Sequence, residues 1–162
     1  MTTMLQRLEA LESIVAAHAR VMETGSHAVG SFGAWLPLAS PELTWSWPWT
    51  EYVTEHLDAV TAGEIDRLMV LAPVRHGKSE LITVRYPVYR LVRDPTTPII
   101  MAMHTSNLAK KFSRKVRRLA RVHCRLSDER DTAAEWETIA GGGMRPWEST
   151  RAPRDREAGS FS

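Results

Sequence analysis

Cysteine, long apolar runs and metal-ligand patterns are all scarce in this chain of 162 residues. A single cysteine, Cys124, excludes an internal disulfide and indicates a reducing compartment, which we expect to be the cytoplasm. No apolar run is long enough to cross a membrane, and the charged N-terminal segment lacks the apolar core of a signal peptide. The sequence therefore predicts one globular protein that acts away from membranes.

Catalytic arrangements built on histidine, serine or paired carboxylates are also missing from the sequence. The six histidines do not have the spacing of zinc ligands, and Cys124 has no second cysteine to complete a site. No serine stands in the setting of a hydrolase nucleophile, and no two carboxylates form an acid and base pair. We therefore expect neither a zinc site nor a serine hydrolase.

The chain does contain a short apolar run, a polar turn and then Gly77-Lys78-Ser79. Residues 68–71 suit a buried parallel strand, and the apolar spacing of residues 81–91 suits a helix. Strand, turn and helix in this order are typical of a phosphate-binding loop (Walker A motif), in which backbone N–H groups and a helix N-terminus attract a triphosphate. The predicted binding residues for ATP are Val74, Arg75, His76, Gly77, Lys78 and Ser79.

Each of three residues in this turn has a predicted role. Lys78 would reach the β- and γ-phosphates, and the Ser79 hydroxyl would be the metal ligand, binding Mg²⁺. Arg75 is the candidate catalytic residue because a cation there could stabilise charge on the γ-phosphate. The alternative for Arg75 is a salt bridge or a solvated side chain. One departure from the usual pattern is Ala72, which occupies the position of the first glycine.

ATP hydrolysis also needs a carboxylate at the end of a second apolar strand, and the sequence offers no candidate. Asp128 and Glu129 follow a polar segment, and Asp66 precedes the turn. The sequence therefore predicts nucleotide binding with poor hydrolysis or none.

Charge is distributed unevenly along the chain. Residues 1–60 carry two basic and seven acidic residues, whereas residues 61–162 carry 19 basic and 12 acidic ones. Eight of the basic residues lie in the predicted helix 106–126, where no acid occurs. This helix face is either solvated or lies against DNA phosphates or another subunit.

Periodicity and turn residues predict the order of the other elements. Helices are expected over residues 3–23, 50–62, 78–93 and 106–126, and strands over 68–71, 99–103 and 136–140. Residues 25–48 read as an irregular loop rich in Trp and Pro, whose tryptophans either pack on the core or stack on a base. The fold class is α/β, a P-loop NTPase-type parallel sheet flanked by helices, incomplete, with an N-terminal helix and a disordered C-terminal tail.

Two segments carry a resemblance to a known family. Residues 73–80, Pro-Val-Arg-His-Gly-Lys-Ser-Glu, and residues 106–114, Ser-Asn-Leu-Ala-Lys-Lys-Phe-Ser-Arg, resemble the large terminase subunit of tailed bacteriophages. Residues 51–66 also resemble the lead-in helix of that family, and the similarity extends over about residues 45–145. The expected domains are a helix and Trp/Pro-rich loop (1–48), a partial P-loop ATPase domain (49–145) and a disordered tail (146–162).

The resemblance implies an ATPase that packages viral DNA into procapsids and a nuclease domain that cuts the DNA. It also implies double-stranded DNA, a small terminase subunit and the portal as partners, a host-cytoplasmic location, and allows a homo-oligomer. The family's second acidic motif and nuclease domain have no counterpart here, so we expect an N-terminal fragment. The alternatives are another P-loop enzyme, such as a small kinase, or a non-catalytic fragment that binds DNA or a subunit through the basic helix.

Overall fold

The computed structural model describes residues 30–132 and 135–146, which form a mixed α/β fold with a four-stranded sheet packed against helices. The predicted helix over residues 3–23 lies outside the described residues, as does the predicted tail except for Pro146, which ends a strand. In chain order the elements are α1 (Phe32–Ala39), α2 (Pro48–Ala62), a π-helical segment (Ser79–Arg85), α3 (Tyr86–Arg93), β1 (Pro98–Met101), α4 (Ser106–His123), β2 (Leu126–Asp131), β3 (Trp136–Thr138) and β4 (Gly143–Pro146).

Helix α1 occupies part of the segment that was predicted to be irregular. The Ser31 side chain caps the helix by accepting a hydrogen bond from the Ala34 N–H at 3.3 Å. Asp58 of α2 accepts two more bonds from the Phe32 N–H, at 2.8 and 3.0 Å. The irregular-loop prediction was wrong for residues 32–39 because a carboxylate from another helix satisfies the first turn, and sequence periodicity does not register such a partner.

Helix α2 confirms the helix predicted over residues 50–62. Pro48 lies in its first turn, where its missing N–H costs nothing, and Gly63 ends it with a left-handed φ of 80°. Val53 and Leu57 are buried as expected. The tryptophans around this helix mainly pack: Trp35 is buried, and Trp49 lies partly buried against the core.

The helix predicted over residues 78–93 is present, but its first half is a π-helix, which is wider than an α-helix. Its π-helical segment places the Tyr86 N–H on the Leu81 carbonyl, five residues back. The widening precedes Pro87, which has no N–H and whose ring would crowd the carbonyl of a regular turn. Leu81, Val88 and Leu91 are completely buried, so this helix is a central element of the core.

The sheet has the order β1-β4-β3-β2 and is mixed. Strands β1 and β4 are parallel, while β4 with β3 and β3 with β2 are antiparallel. The expectation of a parallel sheet was therefore wrong in part. The strands predicted at 99–103 and 136–140 are present, but β2 lies in an acidic stretch and β4 follows three glycines, so neither was predicted.

The apolar run 68–71 is not the buried strand that was predicted. The segment has no regular secondary structure, and no strand of the described chain pairs with it. Leu68 and Val70 pack partly against the core, but Met69 and Leu71 are 83% and 86% exposed. Four consecutive apolar residues indicate burial on both faces, whereas the structure covers only one face.

Helix α4 confirms the helix predicted over residues 106–126. Its buried face, however, is rotated about the helix axis from the apolar face that the sequence predicts. The apolar spacing predicts a buried stripe of Leu108, Phe112, Val116, Leu119 and Val122, but Val122 is 58% exposed. The helix buries smaller side chains, which allow close approach to β4 and α3. These buried residues are Ala109, Ser113, Val116, Ala120 and His123.

The sheet joins the helices through Trp136 and Met144, which are neighbours in the β3–β4 register and fully buried. The Trp136 indole N–H donates to the Ser113 hydroxyl of α4 at 3.1 Å, which satisfies both buried polar groups. Within the described residues, no helix combines the length and apolar character that crossing a bilayer requires.

We predict that Gly142→Ala destabilises the fold. A Cβ at this position would overlap the Pro95 carbonyl and the Thr96–Thr97 backbone, and the Gly142 N–H donates to that carbonyl at 3.1 Å. Overpacking against backbone should lower the free energy of unfolding by about 1–3 kcal/mol or more, measured by urea denaturation. Gly30→Ala is the control because its Cβ would meet only the Ala34 Cβ, at 3.9 Å. Equal stability of the two variants would contradict the prediction.

Candidate functional site

The turn between Ala72 and Ser79 contains two residues in the left-handed region. Arg75 has a φ of 65° and Gly77 a φ of 72°. Glycine adopts this conformation without penalty, whereas arginine does so at a steric cost. Two left-handed residues therefore lie within this short turn, immediately before the helix begins.

Residues 74 and 75 form a turn, and none of the backbone N–H groups of residues 74–79 makes a backbone hydrogen bond of ordinary length and angle in the part of the chain that the structure describes. The first backbone bond at this helix start comes from the Leu81 N–H to the Gly77 carbonyl, at 2.9 Å. Open N–H groups at the start of a helix of about four turns provide positive potential and donors for an anion.

The Lys78 side chain folds back across the turn. Its Nζ donates to the Ala72 carbonyl at 3.3 Å, and the side chain is partly buried. The His76 Nδ1 lies 3.0 Å from the Val74 carbonyl, which holds the middle of the turn. The lysine ammonium is thus held within the turn, where it could exchange a long carbonyl bond for a phosphate oxygen.

Arg75 and Ser79 are both exposed. Arg75 forms no ion pair with any residue in the described ranges, so the salt-bridge alternative for this residue has no support. The Ser79 hydroxyl is accessible to a metal ion. No group of three His, Cys, Asp or Glu side chains that could hold a metal occurs among the described residues, so any Mg²⁺ here would depend on Ser79 and phosphate oxygens.

Glu80, next to Ser79, is occupied by a network of ion pairs. It pairs with Arg85 of the same helix and with Lys115 of α4. Arg85 is buried and also contacts Glu42 at 3.3 Å and the Ser40 hydroxyl at 3.2 Å. Burial raises the pKa of Glu80, but the hydrogen bonds and charges of Lys115 and Arg85 outweigh it and bring the pKa below its ordinary value of 4.5.

An apolar cavity of about 390 Å³ opens beside the turn. Three of its lining residues, Ala72, Pro73 and His76, belong to the turn itself. On one side it is lined by Trp49, Tyr52, Val53 and His56 of α2, and on the other by the extended segment 68–71. The rings of Tyr52 and His56 lie 4.4 Å apart between centroids.

Trp49 was among the tryptophans expected to pack on the core or stack on a base, and one tryptophan near it was expected to line the adenine side of the nucleotide site. Tyr52 and His56 were not predicted. Their signal was available, because residues 49, 52, 53 and 56 fall on one face of the predicted helix. The role of Glu80 was not predicted either, because it depends on Lys115, a residue 35 positions further along the chain.

Basic side chains form an exposed stripe on α4 and just beyond it. The members within α4 are three or four residues apart, so they share one side of the helix, and Arg125 follows just after its end. From Lys111 to Arg121 the stripe is about 15 Å long at the rise of an α-helix. The stripe consists of Lys111, Arg114, Arg118, Arg121 and Arg125.

We predict that Glu80→Gln destabilises the protein in a pH-dependent way. Because the folded-state pKa of Glu80 is lowered, its stabilisation is present above about pH 4.5 and is lost as the pH falls through the folded-state value. Urea unfolding at pH 7 should show a loss of about 1 kcal/mol in the free energy of unfolding, and the difference from wild type should disappear once the pH is below the folded-state pKa of Glu80. Glu55→Gln, at an exposed position of α2, is the control. A difference that stays constant with pH would contradict an ionic origin.

Comparisons of the chain with protein-family models, with curated proteins and with solved structures find no match.

Proposed function

We propose that this chain binds ATP with Mg²⁺ in the turn 74–79, as an ATP-binding part of a DNA-packaging ATPase of the large terminase type. The observation that carries the proposal is the row of open N–H groups in residues 74–79, at the start of a helix and beside Lys78. This arrangement supplies both donors and positive charge for a triphosphate.

The residues have distinct parts in this proposal. The open N–H groups cradle the β-phosphate, and Lys78 leaves the Ala72 carbonyl to contact the β- and γ-phosphates. Ser79 would hold Mg²⁺, which neutralises charge on the phosphates when bound. Arg75, exposed in the turn, is free to contact the γ-phosphate.

Binding without efficient hydrolysis follows from the carboxylates near the turn. The adjacent carboxylate, Glu80, is held by Arg85 and Lys115 and is not available to orient a water. Since orienting the attacking water is a separate requirement from holding the phosphates, we expect a low ATPase rate for this chain.

The basic stripe on α4 favours a second activity, the binding of double-stranded DNA through its phosphates. The four members within α4 lie on one exposed side of the helix, and no acid interrupts residues 106–125. A linear array of cations fits the regular spacing of a nucleic-acid backbone. The small terminase subunit and the portal are proposed as partners only because the sequence resembles the large terminase subunit.

We predict that Lys78→Ala removes measurable ATP binding in titration calorimetry, because it deletes the ammonium group that contacts the phosphates. Lys111→Ala, an exposed lysine on α4, is the matched control and should bind ATP as the wild type does. Unchanged affinity of Lys78→Ala would sink the proposed nucleotide site.

We predict that Lys111→Glu with Arg118→Glu weakens DNA binding uniformly across sequences. Loss of two phosphate contacts should reduce the slope of log affinity against log salt by about 2, measured by fluorescence anisotropy. Arg67→Glu, an exposed charge reversal away from the stripe, is the control. If Arg67→Glu reduced the DNA affinity and the salt slope as much as the double variant does, the net charge of the protein, and not the stripe, would account for DNA binding.

A further inference from the structure

We propose that the cavity beside the turn holds the base of the bound nucleotide by stacking alone, and that the site therefore accepts adenine and guanine with similar affinity. This inference rests on the proposed function, since the phosphates anchored in the turn bring the base to the cavity. It deepens that function by defining the nucleotide class as purine triphosphates in general.

The position of the cavity makes it the place for a base. It is continuous with the turn, because Ala72, Pro73 and His76 line both. On the helix side, a ring carbon of Trp49 lies 3.9 Å from the position that a Cβ on Gly77 would occupy. A nucleotide with its phosphates on residues 74–79 therefore has this cavity directly beside it.

The two walls of the cavity suit a flat aromatic ring. The wall from α2 presents Trp49, Tyr52 and His56, and Tyr52 is 64% exposed although it faces this apolar space. The opposite wall presents Met69 and Leu71, which are among the most exposed apolar side chains described. A base between these walls would cover apolar surface on both of its faces, and stacking on aromatic rings does not distinguish one base from another.

The cavity has few side chains that could distinguish the edges of the two purines. Among the described residues, its lining includes no carboxylate, carboxamide, serine, threonine, lysine or arginine. The polar side chains are the Tyr52 hydroxyl and two imidazoles. The His56 Nδ1 is within 2.8 Å of the Tyr52 carbonyl and the His76 Nδ1 within 3.0 Å of the Val74 carbonyl.

The backbone along the cavity, like its side chains, does not favour one purine over the other. Segment 68–71 has no regular secondary structure and lies outside the sheet, so its edge offers N–H donors and carbonyl acceptors together. Such an edge can meet the amino group of adenine or the carbonyl of guanine. Strong rejection of one purine requires buried polar groups that would be left without a partner, and the side chains of this cavity do not supply them.

The test is titration calorimetry of the full chain with ATP, GTP and inorganic tripolyphosphate, each with Mg²⁺. We expect ATP and GTP to bind within about threefold of each other and tripolyphosphate about tenfold or more weakly than either. Tyr52→Ala should weaken ATP and GTP equally, by about tenfold, and leave tripolyphosphate unchanged. Trp47→Ala is the control, since Trp47 is 56% exposed and does not line the cavity.

The outcomes separate this inference from the function on which it rests. A preference of more than about tenfold for one purine would overturn stacking-only recognition and leave triphosphate binding intact. Equal binding of tripolyphosphate and ATP would show that the base lies outside the cavity, which also overturns the inference alone. If none of the three ligands bound, the proposed function and the inference would both be overturned. Because Tyr52 is exposed, its variant should keep the wild-type thermal transition, which confirms that affinity changes do not come from unfolding.

Discussion

Burial of the helix that follows the Gly77-Lys78-Ser79 turn holds the described helices together. Its side chains contact α1, α2 and α4, and two tyrosines extend these contacts through hydrogen bonds. The Tyr86 hydroxyl donates to the Leu57 carbonyl at 3.1 Å, and the Tyr89 hydroxyl to the Gly30 carbonyl at 2.9 Å. Because this helix is fixed on several sides, the turn at its start is also held in place. The open N–H groups of the turn are therefore presented by a rigid element, which reduces the entropy lost on binding an anion.

The carboxylate next to the turn, Glu80, stabilises the fold through ion pairs and has no proposed part in ATP hydrolysis. Glu80 bridges Arg85 and Lys115, which ties the start of the helix to α4. A buried guanidinium needs this partner, because a lone charge away from water is costly. Since Glu80 is committed to these bonds, the proposed site can hold phosphates through donors and cations, but the adjacent carboxylate is not free to orient an attacking water. This is the physical reason why the proposal separates nucleotide binding from hydrolysis.

Segment 68–71 has the sequence of a buried strand, but no described strand pairs with it, so part of its apolar surface stays exposed. Its side chains alternate between contact with the core and exposure, as in a strand with one covered face, but no described strand supplies the second row of backbone hydrogen bonds. The consequence is an exposed apolar wall at Met69 and Leu71, which becomes one side of the cavity. The same feature that overturned the strand prediction therefore creates the space that we assign to the base.

Local signals in the sequence determined the helices over 50–62, 78–93 and 106–126 and the position of the Gly77-Lys78-Ser79 turn, because apolar period, caps and glycines act within a few residues. They could not determine α1, the mixed sheet or the face that α4 buries. Those features depend on partners far along the chain: Asp58 on the first turn of α1, the backbone at Pro95 against Gly142, and Ser113 beneath Trp136. The residues that we propose to bind phosphate are contiguous, so the sequence could indicate them, whereas the cavity beside them exists only because α2 and segment 68–71 are brought together. Contacts between distant segments depend on the shape of the whole core, and local sequence patterns do not encode that shape.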